Sequence, residues 1–324
     1  MIKDLREKQA SVLIITLFIV FFLSSIALSI SHAMRINTKL ISRYVQNQKS
    51  LNIAESAVLL ALAELKADKE DNDYDCLQDG WYGKFHDFDR IKISRFKNSE
   101  NQDIGEYSIN IVDEYGRLNI NTISSEIIAN LINQLSKKDN TKMVQAIVDY
   151  RSGLGEKQII RSVYELLNLK SMEKNIFWGE DTNDNCILDK WEDDQANSLP
   201  NDNGNGILEL GIKDFFTVNS DGKINLNTVS EKIILSLPGM TEQGAQAIIN
   251  KRKTQAFQTE KDFADISSIS KLTNQFIMRW ATVRSDIFRI IVWAKVNEAK
   301  NFKQIIAIAD RSVDPIKIIY WREN

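Results

Sequence analysis

Apolar residues fill the chain from Ala10 to Ile30, ASVLIITLFIVFFLSSIALSI, 21 residues without a charge. At ~1.5 Å of rise per residue this length matches a hydrocarbon core of ~30 Å, so the run predicts a membrane-spanning helix. The helical pattern continues beyond it. Ile36, Leu40, Tyr44, Leu51, Val58, Leu62 and Leu65 recur at helical multiples, and no Gly or Pro occurs before Gly80. One helix from about Ser11 to Ala67 would extend on the order of 85 Å, apolar on every side in its first half and amphipathic in its second. Lys3, Arg6 and Lys8 precede the run, which favours a cytoplasmic N-terminus with the rest of the chain outside. A cleaved secretory signal is the rival expectation, because Ser31-His32-Ala33 loosely resembles a small-residue cleavage site. The apolar stretch is long for such a signal, and the helix does not end there.

After Asp68 the stretch KEDNDYDCLQDG reads as a loop, followed by short β-like runs at Trp81–Phe85, Ile91–Phe96 and Tyr107–Val112. Near the other end, Phe288–Val296, Gln304–Ile308 and Ile316–Trp321 read as three strands joined by polar turns. Between these sets lies an internal repeat: GRLNINTISSEIIANL from Gly116 matches GKINLNTVSEKIILSL from Gly222. Each unit is a short apolar stretch, an Asn-Thr pair and a helix, with Thr122 and Glu126, or Thr228 and Glu231, as cap and first-turn acid. Each continues into a second helix, KMVQAIVDYRSG or GAQAIINKRKT, and a third, SVYELLNL or DFADISSI. The predicted class is α+β: a long N-terminal helix, an antiparallel sheet, and a large helical insertion between its strands.

EKQASVLIITLFIVFFLS followed by LNIAESAVLLALAEL resembles the N-terminal helix of type IV pilins and type II secretion pseudopilins. In that class a prepilin peptidase removes a short basic leader before the apolar run, and the matching bond here is Ala10–Ser11. Two positions depart from the usual pattern. Ala10 stands where Gly normally precedes the cut, and Ile15 stands where the fifth mature residue is normally Glu. Loss of that Glu, together with paired helix-hairpin-helix or SAM-like repeats, resembles the large minor pseudopilins of the general secretion pathway protein K family. The resemblance implies a leader at 1–10, a pilin helix at 11–68, a β head at 69–113 and 284–324, and an inserted helical domain at 114–283. It also implies a single-pass inner-membrane protein with a periplasmic bulk, working with other minor pseudopilins at the tip of a secretion fibre.

Charge patterning adds a candidate metal centre. Glu180–Glu209 carries nine carboxylates and one basic residue, Lys190. Asp181, Asn183, Asn185, Asp189 and Glu192 occupy places one, three, five, nine and twelve of a twelve-residue calcium loop, with the Ile187 carbonyl at seven. Cys186 sits at the sixth place, where Gly usually makes the sharp turn. A second loop places Asn201, Asn203, Asn205 and Glu209 similarly and has Gly206 at six. It carries Ile212 at twelve, which leaves Asp202 or Asp214 to compensate. Calcium in this insertion is also what the K-type resemblance implies.

The remaining composition narrows the function. Two cysteines, Cys76 and Cys186, give no metal spacing, though an oxidising compartment would allow one bridge. With two histidines, no phosphate loop and no nucleophile elbow or triad, the sequence carries no enzyme signature. The rival function is a DNA receptor or the minor pilin of a DNA-uptake pilus. LPGMTEQGAQAIINKRK resembles a helix-hairpin-helix whose turn amides could meet a phosphate, with Lys251, Arg252 and Lys253 beside it. The acidic loops, a net charge of −3 and Thr241 in place of a second turn Gly disfavour DNA. Mass spectrometry of the membrane-extracted protein is expected to find Ser11, N-methylated, at the mature terminus. A terminus at Met34 would identify an ordinary signal peptide instead.

Overall fold

The computed structural model describes residues 2–87, 90–136, 140–155, 159–182, 188, 192, 206–266 and 268–324. Helix α1 runs unbroken over Ile2–Asp71, past the Ala67 at which the apolar pattern stops. An 18-residue window within Ile15–Asp71 has mean hydropathy 2.0 and buries none of its residues against the protein. Burial begins at Ser50, and Ile53, Ala54, Ala57, Val58, Ala61 and Leu65 then form one inward stripe. The three alanines keep that face of the helix thin, so a sheet can approach its backbone.

The segment Trp81–Phe85, expected as a strand, instead begins with the helical turn α2, Gly80–Gly83. Trp81 and Phe85 are both buried, and their spacing of four fits one face of a strand as well as one helical turn, so burial alone does not separate the two. The Asp79 carbonyl accepts from the amides of Tyr82 (3.1 Å) and Gly83 (2.9 Å), which closes the turn. A small antiparallel hairpin follows, β1 (His86–Asp87) with β2 (Arg90–Ile91), and then β3 (Ile93–Lys97) and β4 (Asp103–Asp113). In β4 the alternation directs Ile109 and Ile111 into the core.

Beyond β4 a 3₁₀ turn at Glu114–Gly116 leads into the repeats. The first contains β5 (Leu118–Asn119), α3 (Ser125–Leu135), α4 (Thr141–Gly153), a 3₁₀ turn at Val163–Asn168, α5 (Lys174–Trp178), α6 (Ile212–Phe215) and β6 (Phe216–Thr217). The second contains β7 (Ile224–Asn225), α7 (Glu231–Ser236), α8 (Glu242–Thr254), a 3₁₀ turn at Glu260–Asp265, α9 (Lys271–Trp280) and β8 (Ala281–Thr282). Each repeat is closed by a short parallel pairing, β5 with β6 and β7 with β8. The third helices expected at SVYELLNL and DFADISSI are 3₁₀ turns. The N-caps also differ from expectation: the hydroxyls of Ser124 and Ser230, not of Thr122 and Thr228, accept from Ile127 and Ile233 N–H (3.4 Å each). The threonines are two residues too early to cap and are used across the repeat. Gly222, with φ +98°, packs where a Cβ would come within 2.6 Å of Thr122 Oγ1, and Gly116 packs on Thr228 in the same way. Helices α3 and α7 meet in one apolar core shared by both repeats.

The chain then returns through β9 (Ile287–Val296), β10 (Lys303–Asp310) and β11 (Lys317–Glu323). The five-stranded sheet has the order β11-β10-β9-β4-β3, antiparallel throughout, with α1 across one face. Because β4 pairs with β9 up to Asp113↔Phe288, the two ends of the insertion leave from neighbouring strands and the sheet is not interrupted. Gly105 on β4 faces α1, where a Cβ would lie 2.6 Å from Ile53 Cδ1.

Candidate functional site

In the acidic region the structure brings together the two ends of the first candidate loop. Asp181 and Glu192, its first and twelfth places, are both buried. The Thr182 backbone N–H and hydroxyl both donate to Glu192 Oε1, at 3.0 and 2.8 Å. Asn183, Asn185, Ile187 and Asp189 lie outside the described residues, as do Asn201, Asn203 and Asn205 of the second loop. Glu209 is half-buried and anchored: its N–H donates to Glu180 Oε2 (2.7 Å), and its carbonyl accepts from Glu180 N–H (2.8 Å). Gly206 takes φ +71°, the left-handed backbone that the sixth place of such a loop requires. Asp214 does not serve as a free twelfth ligand. Its Oδ2 accepts from Gly211 N–H (3.0 Å) and its Oδ1 faces the buried Lys213 Nζ at 3.1 Å. Lys213 also stands 3.7 Å from Asp181, so among the described residues the candidate carboxylate donors have one ammonium beside them.

The repeats explain their shared signature residue by residue. Asn119 and Asn225 accept from the N–H two residues on, at 2.9 and 3.0 Å, closing the turn after each strand. Asn121 exchanges two hydrogen bonds with the backbone of Ile160, and Asn227 does the same with Phe257. Arg151 Nη1 donates to the carbonyls of Ile120 and Ile123, and Arg252 Nη1 to those of Leu226 and Val229. Burial holds both guanidinium groups below their usual range, as befits cations working as internal clamps. Arg252 is therefore not a free phosphate contact. Lys251 donates to the Asp262 carbonyl (3.0 Å) and lies over the Phe257 ring. The hairpin turn itself packs against the start of α9, where Thr273 Oγ1 donates to the Pro238 carbonyl (2.9 Å).

A buried polar cluster that sequence reasoning missed joins insertion, sheet and helix. Arg311, just past β10, donates to the carbonyls of Leu65 (3.3 Å) and Ser285 (3.0 Å), to Asp68 Oδ2 (2.9 Å) and to Asp75 Oδ1. Its guanidinium lies 4.5 Å from the Phe288 ring centroid. Asp75 Oδ2 accepts from Ser285 N–H (2.7 Å), and its carbonyl accepts from Asn225 Nδ2 (3.2 Å). Asp113 Oδ2 accepts from Ser285 Oγ (2.7 Å), Thr228 Oγ1 (2.6 Å) and Asn225 Nδ2 (3.2 Å). Glu114 is bound by Arg289 Nε (2.7 Å) and the Thr217 hydroxyl. The available signal was weak: single polar residues placed where apolar strands end. Cys76 is a buried thiol donating to Asp79 Oδ1 (3.1 Å), and burial pushes it up to about 12, so it is chemically quiet. Its possible partner Cys186 lies outside the described residues.

Electrostatically the cluster is under-supplied with positive charge. Burial, only partly opposed by Arg311, raises Asp75 to about 7. Burial likewise raises Asp79 and Asp113. Burial would also raise Glu114, but Arg289 and Arg117 hold it below its usual range.

A long N-terminal helix laid across one face of an antiparallel sheet, with an apolar first half free of the protein core, defines a pilin-like α+β architecture. It matches a chain of the crystal structure of the GspK-GspI-GspJ complex from the enterotoxigenic Escherichia coli Type 2 Secretion System. The TM-score is 0.54 at 15% identity, covering 87% of this chain and 98% of that one. No curated protein matches the chain. Residues 224–284, the second repeat, match the family model for type II secretion system (T2SS) protein K.

The folded protein keeps the Asp75 proton up to about pH 7, whereas an unfolded Asp releases it near ~3.9. Stability from this group is therefore full at low pH and is lost as pH rises through about 7. Asp75→Asn is expected to flatten that dependence in urea titrations between pH 5 and 8. Arg311→Met should cost about 3–5 kcal/mol, because it leaves Asp68 and Asp75 buried without their cation.

Proposed function

We propose that this chain is the tip subunit of a type II secretion pseudopilus, starting or capping the fibre with other minor pseudopilins and performing no catalysis. The observation that carries this is the place of the insertion. The insertion at 114–283 leaves and rejoins the sheet beside Arg311, Asp68 and Asp75, at the end of α1 farthest from its apolar half. A head enlarged at that end obstructs a subunit stacked above it. Ile15 supports the same role, since an apolar side chain cannot offer a carboxylate to the terminal ammonium of a neighbour above. Ser11 keeps its own ammonium for the subunit below.

In this proposal the leader ends at Ala10, prepilin peptidase releases Ser11, and α1 anchors the subunit once through the inner membrane with its bulk in the periplasm. Partners of the kind in the GspK-GspI-GspJ complex are the expected neighbours. The inserted units are helix-hairpin-helix-like modules turned to protein contact, since Arg252 and Lys251 are committed within the fold. Calcium would be held by Asp181, Asn183, Asn185, the Ile187 carbonyl, Asp189 and Glu192. A second ion would use Asn201, Asn203, Asn205 and Glu209. The ion would neutralise buried carboxylates and brace the insertion.

In overproduced fibres, gold label on this subunit is expected at one end only, and Ile15→Glu is expected to be tolerated. Label spread along the shaft would defeat the tip assignment. Calcium at ~100 times its dissociation constant should add about 2.7 kcal/mol of stability. Asp181→Ala with Asp189→Ala should remove most of that gain. A melting curve unmoved by chelation, with bound metal excluded by elemental analysis, would leave the loops merely acidic.

A further inference from the structure

Between the apolar run and the first buried residue, Ser50, α1 is solvent-exposed apart from a half-buried Gln46, and its charge is of one sign. Arg35, Lys39 and Arg43 are all exposed, and no acidic residue occurs between Glu7 and Glu55. Their spacing of four places them within one narrow sector of the helix. Ile36, Leu40 and Tyr44 follow the same spacing in the adjacent sector, so cationic and apolar stripes run side by side. None of the three cations enters an ion pair or hydrogen bond among the described residues.

Distance along the helix separates their roles. Counted from Ile30, Arg35 lies ~7 Å beyond the apolar edge, Lys39 ~13 Å and Arg43 ~20 Å, at ~1.5 Å per residue. The headgroup layer occupies roughly 5–8 Å outside the hydrocarbon on each side. Side chains on a helix lean toward its N-terminus, which on α1 is the direction of the apolar segment, so Arg35 and Lys39 reach back toward that layer. Arg43 is about two Debye lengths away and is screened.

We propose that Arg35 and Lys39 dock onto the phosphates of anionic phospholipids in the leaflet at the Ile30 end of the span. The surface rests on the membrane-anchor assignment, and it holds the helix at one depth and rotation before assembly. The apolar stripe beside it stays available to a neighbouring helix. A basic face meant for acidic side chains of another subunit would show no preference for the residue nearest the membrane.

The full-length chain, reconstituted in phosphatidylcholine vesicles with a minority of phosphatidylglycerol, is tested with spin-labelled forms of both lipids. Resistance to carbonate extraction is measured on the same vesicles. The expected result is preferential association of phosphatidylglycerol that falls with salt. Arg35→Gln should lower it most, about fivefold, the factor that ~1 kcal/mol per surface cation represents. Lys39→Gln should lower it less and Arg43→Gln least. Lys3→Gln with Arg6→Gln and Lys8→Gln should leave the Arg35 effect in place. Extraction by carbonate would overturn the anchor itself. An inserted protein with no lipid preference, or one lost equally at Arg43, would overturn the docking surface alone. Unchanged lipid preference with lost crosslinking to a neighbouring pseudopilin would assign the stripe to a protein partner.

Discussion

The Arg311 guanidinium is the point at which helix, loop and returning insertion meet. Arg311 is reached by the last turns of α1, by the loop after it and by the segment returning from the insertion, and it is backed by the ring of Phe288. Asp113 does the corresponding work at the point of departure, gathering Thr228, Asn225 and Ser285 onto a single carboxylate oxygen. An insertion of this size tethered at two adjacent strand ends would otherwise swing freely. Here its second repeat is bonded directly into the neck. Buried charges of this kind add little net stability, but removing one member leaves the others desolvated, which makes the arrangement unforgiving.

The insertion repeats its solution to one local problem. Each short strand must turn sharply into a helix, and each turn is closed by one Asn, clamped by a second, and tied down by an Arg from the following helix. The Asn residues act as surrogate backbone, pairing with Ile160 and Phe257 where a strand would otherwise be needed. Where the second repeat places α9, the first places α5, α6 and the acidic loops.

Much of the fold was legible in the sequence because it rests on periodicity. The long helix, the flanking strands and the repeated (I/L)N(I/L)NT units are carried by local pattern. Trp81–Phe85 misled because a spacing of four fits a strand face as well as a helical turn, and Thr122 and Thr228 because a hydroxyl before a helix looks like a cap wherever it stands. The neck was not legible at all. Asp68, Asp75, Asp113, Ser285 and Arg311 are scattered over the whole chain, and the β4–β9 and β9–β10 ladders with α1 packed across them bring them together. In the acidic loops, spacing named candidate ligand positions. Of these, the described residues place Asp181 and Glu192 as buried loop ends and anchor Glu209 to Glu180.

The central claim is that head and insertion are one cooperative body locked at the neck. Native-state hydrogen exchange followed by mass spectrometry tests it most directly, comparing peptides from β9 with peptides from α3 and α7 as denaturant rises. The account predicts that both sets open with the same free energy and the same denaturant slope, and that Arg311→Met separates them. Insertion peptides that open independently in the unaltered protein, with energies that Arg311→Met leaves unchanged, would contradict it.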